Sequence, residues 1–288
     1  MGNAAARTAV GPMALVAIDQ HEEIPLVRDK LAYRLLPLGA KTVAGLSALL
    51  PVRWAIARAV EKQAPGLWSS LLCRKRYIDD QLRTAAEDGI DAVVLLGAGL
   101  DTRAYRLPEL AAMPCYEVDL PASTARKRAL VQKVYGKVPD RVGLVPVDFE
   151  DQDLGEALIA HGCTAERRPF FVWEGVTQYL TETAIRRTFA FLADARIGSR
   201  LAFTYVRADF LDGSDLRDSA ALHREYVIKR RLWKFGWDPG DVAGFLAEHG
   251  WRLVEQVGRP EFAARYLKPI GRPPVASEVE LTVLAEKV

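Results

Sequence analysis

Cysteine is scarce in this chain, and what there is lacks metal-ligand spacing. Cys73, Cys115 and Cys163 are odd in number and far apart, which argues against a disulfide framework and a zinc site and fits a reduced, cytoplasmic setting. A charge excess is missing as well. The 39 Lys and Arg stand against 37 Asp and Glu, a net of +2, whereas a chain that grips nucleic acid carries a larger excess or a dense basic stripe. No apolar run approaches the roughly 20 residues that span a bilayer. Asp19, Glu22 and Glu23 break any leader pattern near the start. Residues 37–51 are apolar enough to touch a membrane surface, but Lys41 and the small residues Gly39, Ala40, Gly45 and Ser47 favour a packed helix. Internal repeats and low-complexity tracts are absent.

What is present is a 288-residue chain, half of it apolar, enough for one large domain or a domain with an appended cap. From Asp91 onward short apolar runs alternate with helical stretches. DAVVLLGAG reads as a buried parallel strand, and PCYEVDL, VGLVPVDF, RPFFVWEGV and SRLAFTYV continue the series. Helices are predicted over residues 122–135, through DLGEALIAHG with Gly162 as its stop, and from Thr181 as a cap into TETAIRRTFAFLADA. A further helix and strand fill DVAGFLAEHGWRLVEQV, and VELTVLAEKV supplies the last strand. This rhythm predicts an α/β fold with a doubly wound sheet. Two parts fall outside it: a helical cap over residues 1–88, and an insertion at about residues 207–240 within the domain 89–288. Both are placed to cover the carboxyl ends of the strands, where open α/β sheets bind ligands.

The first strand runs into Gly97-Ala98-Gly99, where two glycines permit a tight turn and close approach of a ligand. Any strand-to-helix turn uses such glycines. A dinucleotide fingerprint, however, wants Gly or Ala near position 102, and this chain has Thr102 preceded by Asp101. An acid there repels a pyrophosphate and tolerates a cationic amino-acid tail, which S-adenosyl-L-methionine has and NAD lacks. Asp119 ends the second strand twenty positions on, suited to accept both ribose hydroxyl protons; the alternative is a cap for the helix after Pro121. Glu117 alternates with it and faces elsewhere. Asp148, Phe149 and Glu150 end the third strand, where an adenine edge belongs. For Glu150 an acidic turn opening a helix is an equal reading.

VVLLGAGLDTRAYRL, YEVDLP and WEGVTQYLT resemble the leucine carboxyl methyltransferase family, in particular its bacterial branch. RKRYIDD and RYLKPIGR resemble the family's arginine-bearing and late segments, so the likeness runs from about Arg74 to the C-terminus. PLVRDKLA in the N-terminal block matches only loosely. The resemblance implies a class I methyltransferase fold, a Rossmann-like seven-stranded sheet with an antiparallel last strand and a helical cap. It also implies roles. Arg74 would bind the methionine carboxylate of S-adenosyl-L-methionine, Gly97, Ala98, Gly99 and Asp101 its amino-acid tail, Asp119 and Leu120 its ribose, and Asp148 and Phe149 its adenine. Glu174 and Tyr179 would border the methyl group and the acceptor. Arg74 and Tyr77 share one helix face while Arg76 points away, and a guanidinium is a natural fork for a carboxylate. A solvated basic turn is the bland alternative.

Methyl transfer from a sulfonium needs alignment more than acid or base. A carboxylate acceptor, with a pKa of about 4, needs no base, and a hydroxyl acceptor does. Of the four histidines, His161 and His249 precede helix-ending glycines and read as C-terminal caps. His223 and His21 are the candidate bases. In the covering insertion, Tyr226, Arg230, Trp233 and Trp237 have helix-like spacing and predict a packing stripe, with a cation-bearing pocket as the alternative. These readings favour methylation of a carboxylate on a small molecule or peptide. Competing with it are a hydroxyl O-methyltransferase, a non-catalytic S-adenosyl-L-methionine-binding protein and, disfavoured by Asp101 and Asp148, a nicotinamide oxidoreductase. No metal is implied.

Overall fold

Five consecutive apolar residues, three of them leucine or β-branched at the centre, build β1 (Ala92–Leu96), every one of them buried. The computed structural model describes residues 8–288, so residues 1–7 of the expected cap lie outside the described residues. Around β1 are β2 (Cys115–Asp119), β3 (Val142–Pro146), β4 (Pro169–Trp173), β5 (Arg200–Val206), β6 (Trp251–Val257) and β7 (Glu280–Lys287). They form one seven-stranded sheet in the order β3-β2-β1-β4-β5-β7-β6. The first five strands are mutually parallel, and β7 runs antiparallel to both β5 and β6. The strand order reverses between β1 and β4, the point at which doubly wound sheets open a crevice.

Before the sheet come α1 (Val10–Asp19), α2 (Lys30–Leu35), α3 (Leu38–Leu46), α4 (Leu50–Gln63) and α5 (Leu67–Glu87). After β1 follow α6 (Arg103–Arg106), α7 (Pro121–Tyr135), α8 (Leu154–Ala160) and α9 (Glu182–Ala193). The insertion holds α10 (Ala208–Asp212), α11 (Ala220–His223) and a wide turn over Arg224–Lys229; α12 (Val242–Glu248) and α13 (Arg259–Phe262) flank β6. Alternation along β1 divides the core. Val93 and Leu95 join Met13, Val16, Leu72 and Tyr77 of the N-terminal helices, while Val94 and Leu96 join Phe189 of α9 and Phe245 of α12. The leading helices thus share a core with the sheet, each fully buried large side chain contributing about 1.5–3 kcal/mol.

Local signals act as expected at several ends. The Thr181 hydroxyl accepts the Ala184 N–H at 3.3 Å and caps α9. His161 and His249 close α8 and α12, their Nδ1 atoms 2.8 and 2.9 Å from the carbonyls of Ala157 and Phe245.

Two expectations need correction. Residues 37–51 do not form a packed helix. Proline is tolerated in the first turn of a helix and not within one, so Pro51 opens α4 instead of extending α3. The pair is bent by 115°, and Leu38, Leu50 and Trp54 are 81%, 67% and 63% exposed. The stripe from Tyr226 to Trp237 is not one helix either. Regular structure stops at Lys229, and Arg231 takes a positive φ of 49°. Trp237 alone of the four packs deep, 5.7 Å from the rings of both Phe203 and Tyr205.

Candidate active site

The turn after β1 places two glycines in positive φ, Gly97 at 73° and Gly99 at 44°. A Cβ on Gly97 would stand 2.3 Å from Val176 Cγ2, so this turn packs directly on the loop after β4. The Gly99 N–H donates to Asp119 Oδ2 at 2.6 Å, and the Leu120 N–H donates to Asp119 Oδ1 at 2.7 Å. Asp119 is therefore held by the glycine turn. It does not cap α7, whose first turn has no side-chain cap. Glu117 does not face elsewhere: two positions before Asp119 it shares that face of β2, and it is fully buried there, with Lys127 Nζ at 2.8 Å and the Tyr105 hydroxyl at 2.9 Å.

Above this turn lies a charge cluster drawn from the middle of α5, the start of α6, the loop after β4 and the start of β7. Arg103, with no exposed surface, donates from Nε to Asp79 Oδ1 at 2.7 Å, from Nη1 to Glu174 Oε2 at 2.6 Å and to Asp101, and from Nη2 to the Lys75 carbonyl at 3.2 Å. Arg74 donates from Nε to Glu174 Oε1 at 2.9 Å and from Nη1 to Glu280 Oε1 at 2.5 Å. Lys75 Nζ stands 3.7 Å from Asp101 and 3.8 Å from Glu174. Burial alone would raise the carboxyl pKa of Asp101. Arg103 and Lys75 more than offset it and hold the group well below the usual carboxylate range. Glu174 follows the same logic, with burial overcome by Arg103, Lys75 and Arg74. At Glu280 burial prevails over Arg74 and the pKa rises. The acid at position 101 is thus matched by internal cations, and its charge is not free to select a ligand.

Of this cluster, Arg74, Lys75, Asp101, Glu174 and Glu280 line a cavity of about 1080 Å³ at the carboxyl ends of β1 and β4, large for a small-molecule site. Arg74, Gly97, Ala98, Gly99, Asp101, Asp119, Leu120, Asp148, Phe149, Glu174 and Tyr179 all reach it. His223 does not. Its ring packs edge-on against Phe210, with Nε2 3.2 Å from the Leu211 carbonyl. His21 is also elsewhere, 3.0 Å from the Ala44 carbonyl. Glu150 lines the cavity and accepts from Thr181 at 2.7 Å and Lys234 at 3.2 Å. Tyr226, Arg230 and Trp233 line the cavity and do not merely pack, Arg230 lying 5.4 Å over the Tyr226 ring.

Residues not singled out from sequence complete the site. Lys75 and Asp79 lie one helical turn apart beside Arg74, a spacing that the helix period could have flagged. Glu280 arrives only because β7 returns antiparallel and sets it opposite Val206. Asp29 caps α2 and accepts the Thr102 hydroxyl proton at 2.5 Å, joining the N-terminal helices to the glycine turn. Among the described residues no group of His, Cys, Asp and Glu has the make-up of a metal site.

The donor set fits S-adenosyl-L-methionine. A buried guanidinium faces the cavity for a carboxylate, and Gly175, at φ 69°, lets Arg74 Nη2 lie where a Cβ would stand 3.1 Å away. Asp119 keeps lone pairs for a diol, since each oxygen accepts a single backbone N–H.

Comparison with known proteins agrees with this geometry. The family model described as leucine carboxyl methyltransferase matches residues 9–193. A protein of Mycobacteroides abscessus, named as a candidate S-adenosyl-L-methionine-dependent methyltransferase, is 32% identical over 96% of this chain and 91% of its own length. A similarly named protein of Streptomyces avermitilis is 30% identical over 94% and 91%. In fold, the chain is similar to a crystal structure of a DUF574 family protein from Streptomyces avermitilis, with a TM-score of 0.59 at 16% identity over 95% of this chain and 97% of that one. A candidate methyltransferase from Thermobifida fusca gives a TM-score of 0.58 at 21% identity, over 82% and 88%. With its matched sheet, glycine turn and charge cluster, this chain belongs to the leucine carboxyl methyltransferase family and is an S-adenosyl-L-methionine-dependent methyltransferase.

Proposed function

We propose that the protein transfers the methyl group to a carboxylate oxygen of a small molecule or peptide. The observation that carries this reading is that the cavity's candidate bases are missing or paired, Glu280, whose pKa burial raises, being itself bonded to Arg74 at 2.5 Å. Among the described residues no histidine lines it. Glu174 is locked by Arg74, Lys75 and Arg103 into its ionised form, too weak a base to take a hydroxyl proton. Burial raises the pKa of the Tyr179 phenol, which keeps it protonated. A carboxylate is already ionised at neutral pH and needs no help. The family's own name, taken from a carboxyl acceptor, supports the same choice.

The residues then divide the work. Arg74 holds the methionine carboxylate, the turn Gly97-Ala98-Gly99 its tail, Asp119 and Leu120 the ribose, and Asp148 with Phe149 the adenine. Bound S-adenosyl-L-methionine supplies an electrophilic methyl group on a sulfonium. Glu174 keeps Arg74 and Arg103 in place, and Tyr179 borders the acceptor. Lys229, Arg230 and Arg231 on the opposite wall offer cations to an acidic acceptor. Fixing both reactants in near-attack geometry supplies roughly 7–11 kcal/mol of the barrier, the main resource of such a site.

The test is incubation with methyl-labelled S-adenosyl-L-methionine and a cell extract, followed by mild alkali. A methyl ester releases its label as methanol. Label that stays on the product identifies an ether or amine and overturns the carboxylate reading.

A further inference from the structure

Helix α4 is fourteen residues long and buries none of them. Along it and α3, Leu38, Leu46, Leu49, Leu50 and Trp54 are all exposed, a run of apolar surface too continuous for isolated chance exposures. The same stretch concentrates positive charge. Residues 38–63 contain Lys41, Arg53, Arg58 and Lys62 against a single acid, Glu61, in a chain whose net charge is only +2. Glu61 is engaged with the Gly66 N–H at 2.9 Å, and among the described residues only Arg53 of these cations has a carboxylate partner, Glu22 at 2.8 Å.

We propose that α3 and α4 seat the protein on the surface of an anionic lipid bilayer. Apolar side chains flanked by Lys and Arg, with a Trp at the boundary, are what an interfacial helix needs. The 115° bend between the helices rules out a straight span and suits two short segments lying in the interface plane. The charge pattern selects among occupants. A second copy would set the same cations against themselves across a self-complementary contact. With Ile56 half-buried against the core and no residue fully buried, α4 presents a ridge and not the groove that receives a partner helix. Val43, Ile56 and Val60 of these helices also line the cavity, so the docked face is that cavity's outer wall.

The experiment uses the full chain with vesicles of phosphatidylglycerol or phosphatidylcholine. Sedimentation with phosphatidylglycerol vesicles is expected, weakening as salt rises, with little binding to phosphatidylcholine. The variant Leu46→Glu/Leu50→Glu, altered at exposed positions outside the cavity lining, is expected to bind at least roughly tenfold more weakly, with its S-adenosyl-L-methionine affinity intact. Three results would overturn the proposal. One is no binding to phosphatidylglycerol, and another is binding that the variant leaves unchanged. The third is a dimer in ultracentrifugation that the variant splits, which would assign the face to a second copy.

Discussion

Arg103 and Glu174 are 71 positions apart in the chain and meet through a 2.6 Å bond from Nη1 to Oε2. That contact ties the glycine turn after β1 to the loop after β4, across the crevice where the strand order reverses. Because Arg103 is fully buried, its three carboxylate partners depend on it for their charge balance.

Replacing Arg103 by alanine should leave Asp79, Asp101 and Glu174 short of a cation in a dry setting. Breaking such a buried network typically costs about 3–5 kcal/mol. Urea unfolding is expected to show a loss of that size, and Arg103→Lys should recover only part of it, since an ammonium cannot fork. A change below about 1 kcal/mol for Arg103→Ala would mean the cluster is well solvated instead.

Acid stability follows from the same cluster. Asp101 and Glu174 titrate below the ordinary range in the fold. Both are ionised in folded and unfolded chains above about pH 5, where their stabilisation is complete. Below about pH 4 the unfolded chain takes up protons that the folded one refuses, so stability falls as pH falls. Glu117 and Glu280, raised mainly by burial, act in the opposite sense and lose their contribution as pH rises through their folded values. Glu174→Gln should therefore remove about one proton from the acid limb of the urea midpoint profile. An unchanged slope would show that Glu174 is not held ionised.

Much of this was legible in the sequence, and the limits are instructive. The strands announced themselves because β1 and β4 are buried on both faces and carry unbroken apolar runs. The glycine turn, Asp119 and Arg74 sat at motif positions, and all reach one cavity. His223 was misplaced because local sequence does not say which side of a short helix faces inward; its ring turned to Phe210. Asp101 was read as a free charge because Arg103, two residues on, gave no sign of folding back onto it. Glu280 was invisible for a topological reason, its partner Arg74 being 206 positions away.

The Gly97 turn offers a local check. A methyl there meets Val176 at 2.3 Å and must adopt a φ of 73°. Gly97→Ala should destabilise by about 1–3 kcal/mol from backbone strain alone, read as a lowered thermal midpoint. Adding Val176→Ala is expected to relieve the contact but not the strain. Full recovery in the double variant would contradict the strained-turn reading.

Rate against pH tests the absence of a base. With a carboxylate acceptor, kcat/KM should stay flat between about pH 6 and 9. A rising limb in that window would require a titrating base or a hydroxyl acceptor.

The most direct test of the central claim is calorimetric titration with S-adenosyl-L-methionine of the wild type and of folded Arg74→Ala and Asp119→Ala. Saturable binding by the wild type, and at least roughly tenfold weaker binding by each variant, is the expected result, as for loss of a charge-assisted contact. Unchanged affinity in both variants, or preferential binding of NAD by the wild type, would contradict it.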